Sequence, residues 1–150
     1  MNKFPLLLLT TLLFLSCQPP QSTEVTYSTS EKFKTMNLPF SEAVIVGNTI
    51  YLSGQIGNIP GQLSVVEGGI KNEAKQAMEN IKTVLENNGS SMENVIKCTV
   101  MLADINEWAS FNEEYVKYFP GDKPARSAFA TNGLALNARV EIECIAIIKK

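Results

Sequence analysis

The chain has 150 residues, enough for one ordinary domain. Hydrophobic residues make up 45% and charged residues 19%, a globular composition, and a net charge of −2 gives no electrostatic drive towards nucleic acid. Histidine is absent, which excludes a Ser-His-Asp triad, a histidine general base and any zinc site built on imidazole. The 3 cysteines are too few for an all-thiolate structural zinc site within one chain. Chemistry is left to carboxylates, Arg, Lys, Tyr, hydroxyls, thiols and backbone groups.

Residues 1–16 open with Lys3 and continue as an almost wholly apolar run from Phe4 to Ser16. The run is shorter than the ~20 residues of a membrane-spanning helix and matches a secretory signal peptide. Leu13-Phe-Leu-Ser-Cys17 resembles a bacterial lipoprotein processing site, in which Cys17 becomes the lipidated first residue. The expectation is an exported protein, periplasmic or membrane-anchored through Cys17. Residues 17–35 are polar, lack a period and read as a tether, leaving 36–150 as the domain.

Within that domain, Ala43–Val46 and Thr49–Leu52 are β-prone runs separated by Gly47-Asn48, a hairpin signal. Leu63–Val66 is expected as a short third strand. Ile70, Ala74, Ala77, Met78, Ile81, Val84 and Leu85 form an apolar stripe at helical spacing, ended by Asn87-Asn88-Gly89. Val95–Leu102 follows as a strand. Asp104 and Glu107 suggest a capping box opening a second helix that buries Trp108, Phe111, Tyr115 and Phe119. Ser127–Thr131 and Arg139–Ile148 complete a single α+β domain with two helices and five or six strands.

Cys98 and Cys144 lie in strand-like apolar runs and are expected as buried structural thiols; in an exported protein they could instead pair as a disulfide, and sequence alone does not place them within reach. Glu141 and Glu143 share one side of the last strand with Ile145 and Ile147, so the two carboxylates lie on a partly apolar surface. Partial burial raises a carboxyl pKa, which suits proton transfer to and from water. Arg126 follows a constrained Pro124-Ala125 turn and has the fork that grips a carboxylate. Read alone, Glu141 fits a solvated face and Arg126 a surface or interface arginine.

These pieces occur together in one family. Asn37-Leu-Pro-Phe-Ser-Glu-Ala-Val44, Ile50-Tyr-Leu-Ser-Gly-Gln-Ile-Gly57, Ala103-Asp-Ile-Asn106, Pro124-Ala-Arg-Ser127 and Val140-Glu-Ile-Glu-Cys-Ile-Ala-Ile147 resemble the RidA (YjgF-like) family in order and spacing, over residues 36–150. The resemblance implies a chorismate-mutase-like α+β fold, a mixed sheet with two helices on one face, assembled as a homotrimer with clefts between subunits. It implies hydrolysis of reactive enamine and imine intermediates (2-imino acids) to 2-oxo acids and ammonia, with no cofactor and no metal. By position, Arg126 matches the arginine that holds the substrate carboxylate and Glu141 the carboxylate that positions water. Phe40, Gly54, Asn112 and Ala128 match substrate-binding positions. Phe40 stands where the family commonly has Tyr, so a hydroxyl is missing. Lys123 replaces a Phe, Leu134–Asn137 replaces a Leu-Pro-Lys turn, and the export signal departs from a mostly cytosolic family.

Three functions compete on these residues. An imine deaminase needs Arg126 and Glu141 in one cleft. A small-carboxylate-binding trimer in the cell envelope would use the same cleft without turnover. RNA cleavage, known among relatives, is opposed by the negative charge and the lack of a basic stripe.

Overall fold

The computed structural model describes residues 23–149; the expected signal over 1–16 and Cys17 lie outside them. Alternating β-branched residues around Gly47-Asn48 form the expected hairpin of β2 (Ala43–Val46) and β3 (Thr49–Leu52), with Ala43 opposite Leu52 and Val46 opposite Thr49. Gly47 adopts φ 62°, the left-handed value that such a two-residue turn requires.

The tether expected over 17–35 gives way, from Val25 on, to regular structure. β1 (Val25–Ser28) pairs antiparallel with β2, and α1 (Glu31–Thr35) follows, its first turn capped by the Ser30 hydroxyl, which accepts from the Phe33 N–H at 3.3 Å. The reason for the difference is physical. Val25 and Tyr27 are 48% and 71% exposed, so β1 is held by backbone hydrogen bonds to β2 and not by burial. An edge strand of that kind needs no apolar period.

The strand expected over 63–66 is a loop closed by a single Asn58–Val65 bridge, with Leu63 exposed. A shorter β4 (Gln55–Ile56) pairs with the last strand instead. In α2 (Ile70–Asn87) the entire predicted stripe from Ile70 to Leu85 is buried. Two polar side chains on this helix are buried as well. Asn80 donates to the Ile56 and Asn58 carbonyls at 3.1 and 2.8 Å, and the Glu73 carboxylate accepts the Arg139 N–H at 2.7 Å. The helix ends at Asn87 with Asn88 as its cap, and Gly89 takes φ 74° just beyond.

β5 (Val95–Leu102) points Cys98, Val100 and Leu102 inwards. The expected capping box does not close: Asp104 accepts from the Asn106 N–H at 2.9 Å, opening a 3-10 turn, while Glu107 is drawn into an ion pair with Arg139. α3 (Trp108–Tyr115) buries Phe111 and Tyr115, and Phe119 beyond it, with ring centroids 5.5 and 4.9 Å apart along the row. Trp108, expected on that buried face, is 45% exposed because it lies at the start of the helix, off the core.

β6 (Ala125–Ala130) returns parallel to β5, and β7 (Val140–Ile147) runs through the middle of the sheet. The order is β1-β2-β3-β7-β5-β6, with β4 beside β7, a seven-stranded mixed sheet in one α+β domain. α2 and α3 cover one face, against Ile50, Val100, Val140, Ile142 and their neighbours. Each fully buried side chain of this size contributes about 1.5–3 kcal/mol.

The approach of α2 to β4 depends on a missing side chain. A Cβ on Gly57 would lie 2.5 Å from the Glu73 Cα, a backbone atom that cannot turn aside. Gly57→Ala is expected to destabilise the protein by about 1–3 kcal/mol in urea unfolding. Thr83→Ala on the exposed face of the same helix should leave the midpoint unchanged within about 0.5 kcal/mol.

Candidate active site

The turn at Pro124 feeds Arg126 into β6, where cross-strand register sets it beside Cys98 of β5 and turns it to the helix-covered side. Its Nη1 donates to the Asn112 side-chain oxygen at 2.7 Å. The guanidinium lies over three rings of α3, with its central carbon 4.7 Å from the Tyr115 centroid, 5.7 Å from Trp108 and 5.8 Å from Phe111. Ring faces and a neutral amide oxygen fix the direction of the fork and leave its charge intact. Among the described residues Arg126 takes part in no ion pair. The fork is thus held, charged and open to an incoming carboxylate. Ala128 lies two residues along the same side of β6, partly buried against the core.

Glu141 belongs to β7, opposite Met101 of β5 and Ile56 of β4. It is half-buried, and its carboxyl is held above the ordinary carboxylate range, first by burial and then by the nearby Glu143 charge. The carboxylate rests against bare backbone: a Cβ on Gly54 would stand 1.9 Å from the Glu141 Oε1. The bare backbone at Gly54 leaves room for the acid to fold onto the strand end. Phe40 and Phe33 meet edge to face, centroids 5.5 Å apart, and with Leu38, Leu136, Gly54 and Glu141 they line a cavity of about 590 Å³.

The predicted site residues therefore fall into two groups. Arg126, Asn112 and Ala128 lie together, and Phe40, Gly54 and Glu141 lie together. The two groups are not brought together within one chain. Arg126, Cys98 and Cys144 form one cross-strand row, and Glu141, Met101 and Phe129 form another, three residues further along. An odd offset on a pleated sheet reverses the face, so Arg126 and Glu141 point to opposite sides. Their positions are separated by about 10 Å along the strands and about 10 Å across them.

Sequence reasoning missed the part of the cavity wall supplied by Ser30–Phe33, because those residues were assigned to the tether. The available signal was Ser30 followed by Glu31, a helix-start pattern too short to stand out. It also missed Leu136, which enters the cavity wall in a left-handed conformation, φ 55° and ψ 26°. For a leucine that conformation costs roughly 1–2 kcal/mol. Lys123 reaches back to the Gly121 carbonyl at 3.4 Å. Among the described residues no group of three His, Cys, Asp or Glu side chains is placed to hold a metal ion.

The family profile described as Endoribonuclease L-PSP matches residues 30–148. The 2-iminobutanoate/2-iminopropanoate deaminase of Homo sapiens is 47% identical over 109 residues, covering 73% of this chain and 80% of the human one. The crystal structure of yeast Mmf1 superposes with a TM-score of 0.75 at 36% identity, covering 84% of this chain and all of the yeast one. That of E. coli TdcF with bound serine gives a TM-score of 0.70 at 30% identity, covering 75% of this chain and 90% of the other. With the fold, the motifs and the matched span in agreement, the chain belongs to the RidA/YjgF (endoribonuclease L-PSP) family.

Proposed function

We propose that this protein hydrolyses 2-imino acids to 2-oxo acids and ammonia, in a cleft where Arg126 of one copy faces Glu141 of another within a homotrimer. The observation that carries the reading is the Arg126 fork, fixed by Asn112 and three rings while its charge stays unpaired among the described residues. Relatives named as imine deaminases, at 47% identity, support the reaction class. The opposite facing of Arg126 and Glu141 supports a site completed by a second copy, since one sheet cannot turn both into one cleft.

The chemistry needs little beyond placement. Arg126 binds the substrate carboxylate through two parallel hydrogen bonds and so fixes the imine carbon. Glu141 accepts a proton from water as the water oxygen bonds to that carbon. Glu141 passes that proton to the nitrogen, the added hydroxyl gives up its own to the same nitrogen, and the C–N bond breaks, so that ammonia leaves as the carbonyl forms. A carboxylate whose pKa is raised above the usual range takes a proton from water more readily than a fully solvated one. The apolar cavity wall of Phe33, Leu38, Phe40 and Leu136 favours imino acids with apolar side chains. The pattern of residues 1–17 supports export of this activity to the cell envelope.

A binding role without turnover has one specific observation in its favour: Phe40 brings no hydroxyl to the cavity it lines. RNA cleavage gains nothing from a chain with no histidine and a net charge of −2.

The test generates 2-imino acids in the cuvette with an amino-acid oxidase and follows their loss. Arg126→Ala should lower kcat/KM by about 100-fold or more, and Glu141→Gln should lower kcat by about 10²–10⁴. Mixing the two inactive variants and reassembling them should restore activity at about a quarter of the sites, as random mixing across a heterologous interface gives. If wild type leaves every imine at its spontaneous rate yet still binds a 2-oxo acid in calorimetry, the hydrolase reading fails and the binding role stands.

A carboxyl whose folded pKa is raised favours the folded state when protonated, and that contribution fades as pH rises through the folded value. The Glu141 side-chain carbon signal should titrate above the ordinary 4.5 in NMR and move back towards it in Glu143→Gln. Relative to wild type, Glu141→Gln should gain stability as pH rises from 4.5 towards neutrality.

A further inference from the structure

β5 and β7 lie antiparallel with Cys98 directly opposite Cys144. Both side chains face the covered side and are buried, at 0% and 1% exposure, and their sulfurs are 2.8 Å apart. Directly opposed residues of an antiparallel pair hold their Cα atoms about 4.5–5.5 Å apart. A disulfide spans about 4.4–6.8 Å. The pairing is fixed by register as well as by side-chain placement, since Thr99 opposite Glu143 and Val100 opposite Ile142 continue the same ladder. The thiols are also unequal. The hydrogen bond from Cys144 lowers the Cys98 pKa, whereas Cys144 is pushed well up by the same contact and by burial.

The pair lies directly behind the arginine. Cys98 is the register partner of Arg126. The Tyr115 hydroxyl is buried beside Cys98 without a hydrogen bond of ordinary geometry, and the same ring carries the Arg126 guanidinium at 4.7 Å.

We propose that Cys98 and Cys144 are a disulfide-forming modification site that locks β5 to β7 beneath Arg126, with a small-molecule disulfide of the glutathione class as oxidant. The Cys98 thiolate attacks one sulfur of the oxidant, whose S–S bond breaks and releases one thiol. Cys144 gives its proton to solvent and attacks the Cys98 sulfur of the mixed disulfide, expelling the second thiol. Two S–H bonds are lost, one S–S bond forms, and the oxidant takes up two electrons as it becomes two thiols. Burial keeps reagents from the closed pair, so the bond forms while the sheet assembles and is afterwards shielded from reductant. The inference stands independently of the imine reaction, because it rests on strand register and on the contact of the two sulfurs.

The test uses the whole chain carrying Cys17→Ser, which leaves these two thiols alone. The protein is unfolded, refolded in mixed oxidised and reduced glutathione, then denatured, alkylated and digested. A Cys98–Cys144 linked peptide is expected, with a midpoint of thermal unfolding higher by on the order of 10 °C than that of protein refolded in dithiothreitol. The Cys98→Ala, Cys144→Ala double variant should lose this redox dependence. Recovery of both cysteines alkylated, or each capped by glutathione, overturns the proposal. A linked peptide with no thermal shift overturns the lock.

Discussion

Strand β7 hydrogen-bonds to β5 on one edge and to β3 and β4 on the other, and its alternation divides the molecule in two. Val140, Ile142, Cys144 and Ala146 go into the core, while Glu141, Glu143, Ile145 and Ile147 go to the open face. A slip of one residue would exchange the two sets and bury two carboxylates. Every other feature depends on that register: α2 closes over the inner row, Gly54 approaches the Glu141 carboxylate, and the row through Cys98 places Arg126 on the inner side.

The arginine shows how a cation can be held without being spent. A carboxylate partner would fix the guanidinium strongly but neutralise it, leaving a ligand to compete with a resident ion pair. An amide oxygen and the faces of Tyr115, Trp108 and Phe111 restrict its direction while keeping its charge. Arg139 makes the contrast. It pairs with Glu107, and its work is structural, tying the start of α3 to the start of β7.

The legible parts of this fold were those that burial imposes on the sequence. The stripe of α2, the hairpin at Gly47 and the alternation of β7 each follow from a residue having to reach the core. β1 and α1 escaped because they are held by backbone pairing and one serine cap, which leave no period behind. Asp104 and Glu107 had the right spacing for a capping box, but a nearby arginine competed for the glutamate, and that competitor is 32 residues away in sequence. At the site, Arg126 and Glu141 were identifiable through family motifs. Their opposite facing was not, because it depends on the combined registers of three strands. The two thiols were recognisable as buried, while their contact needed the same registers.

The chain carries one tryptophan, and the fold sets it at the mouth of α3 with the Arg126 cation 5.7 Å from its ring. Indole emission is sensitive to charge placed near the ring. A carboxylate docking on that guanidinium would cancel much of the field the indole experiences. Trp108 is thus an intrinsic optical gauge of occupancy at this one place, free of interference from any second tryptophan. It lets the arrival of a ligand be seen apart from whatever chemistry comes after.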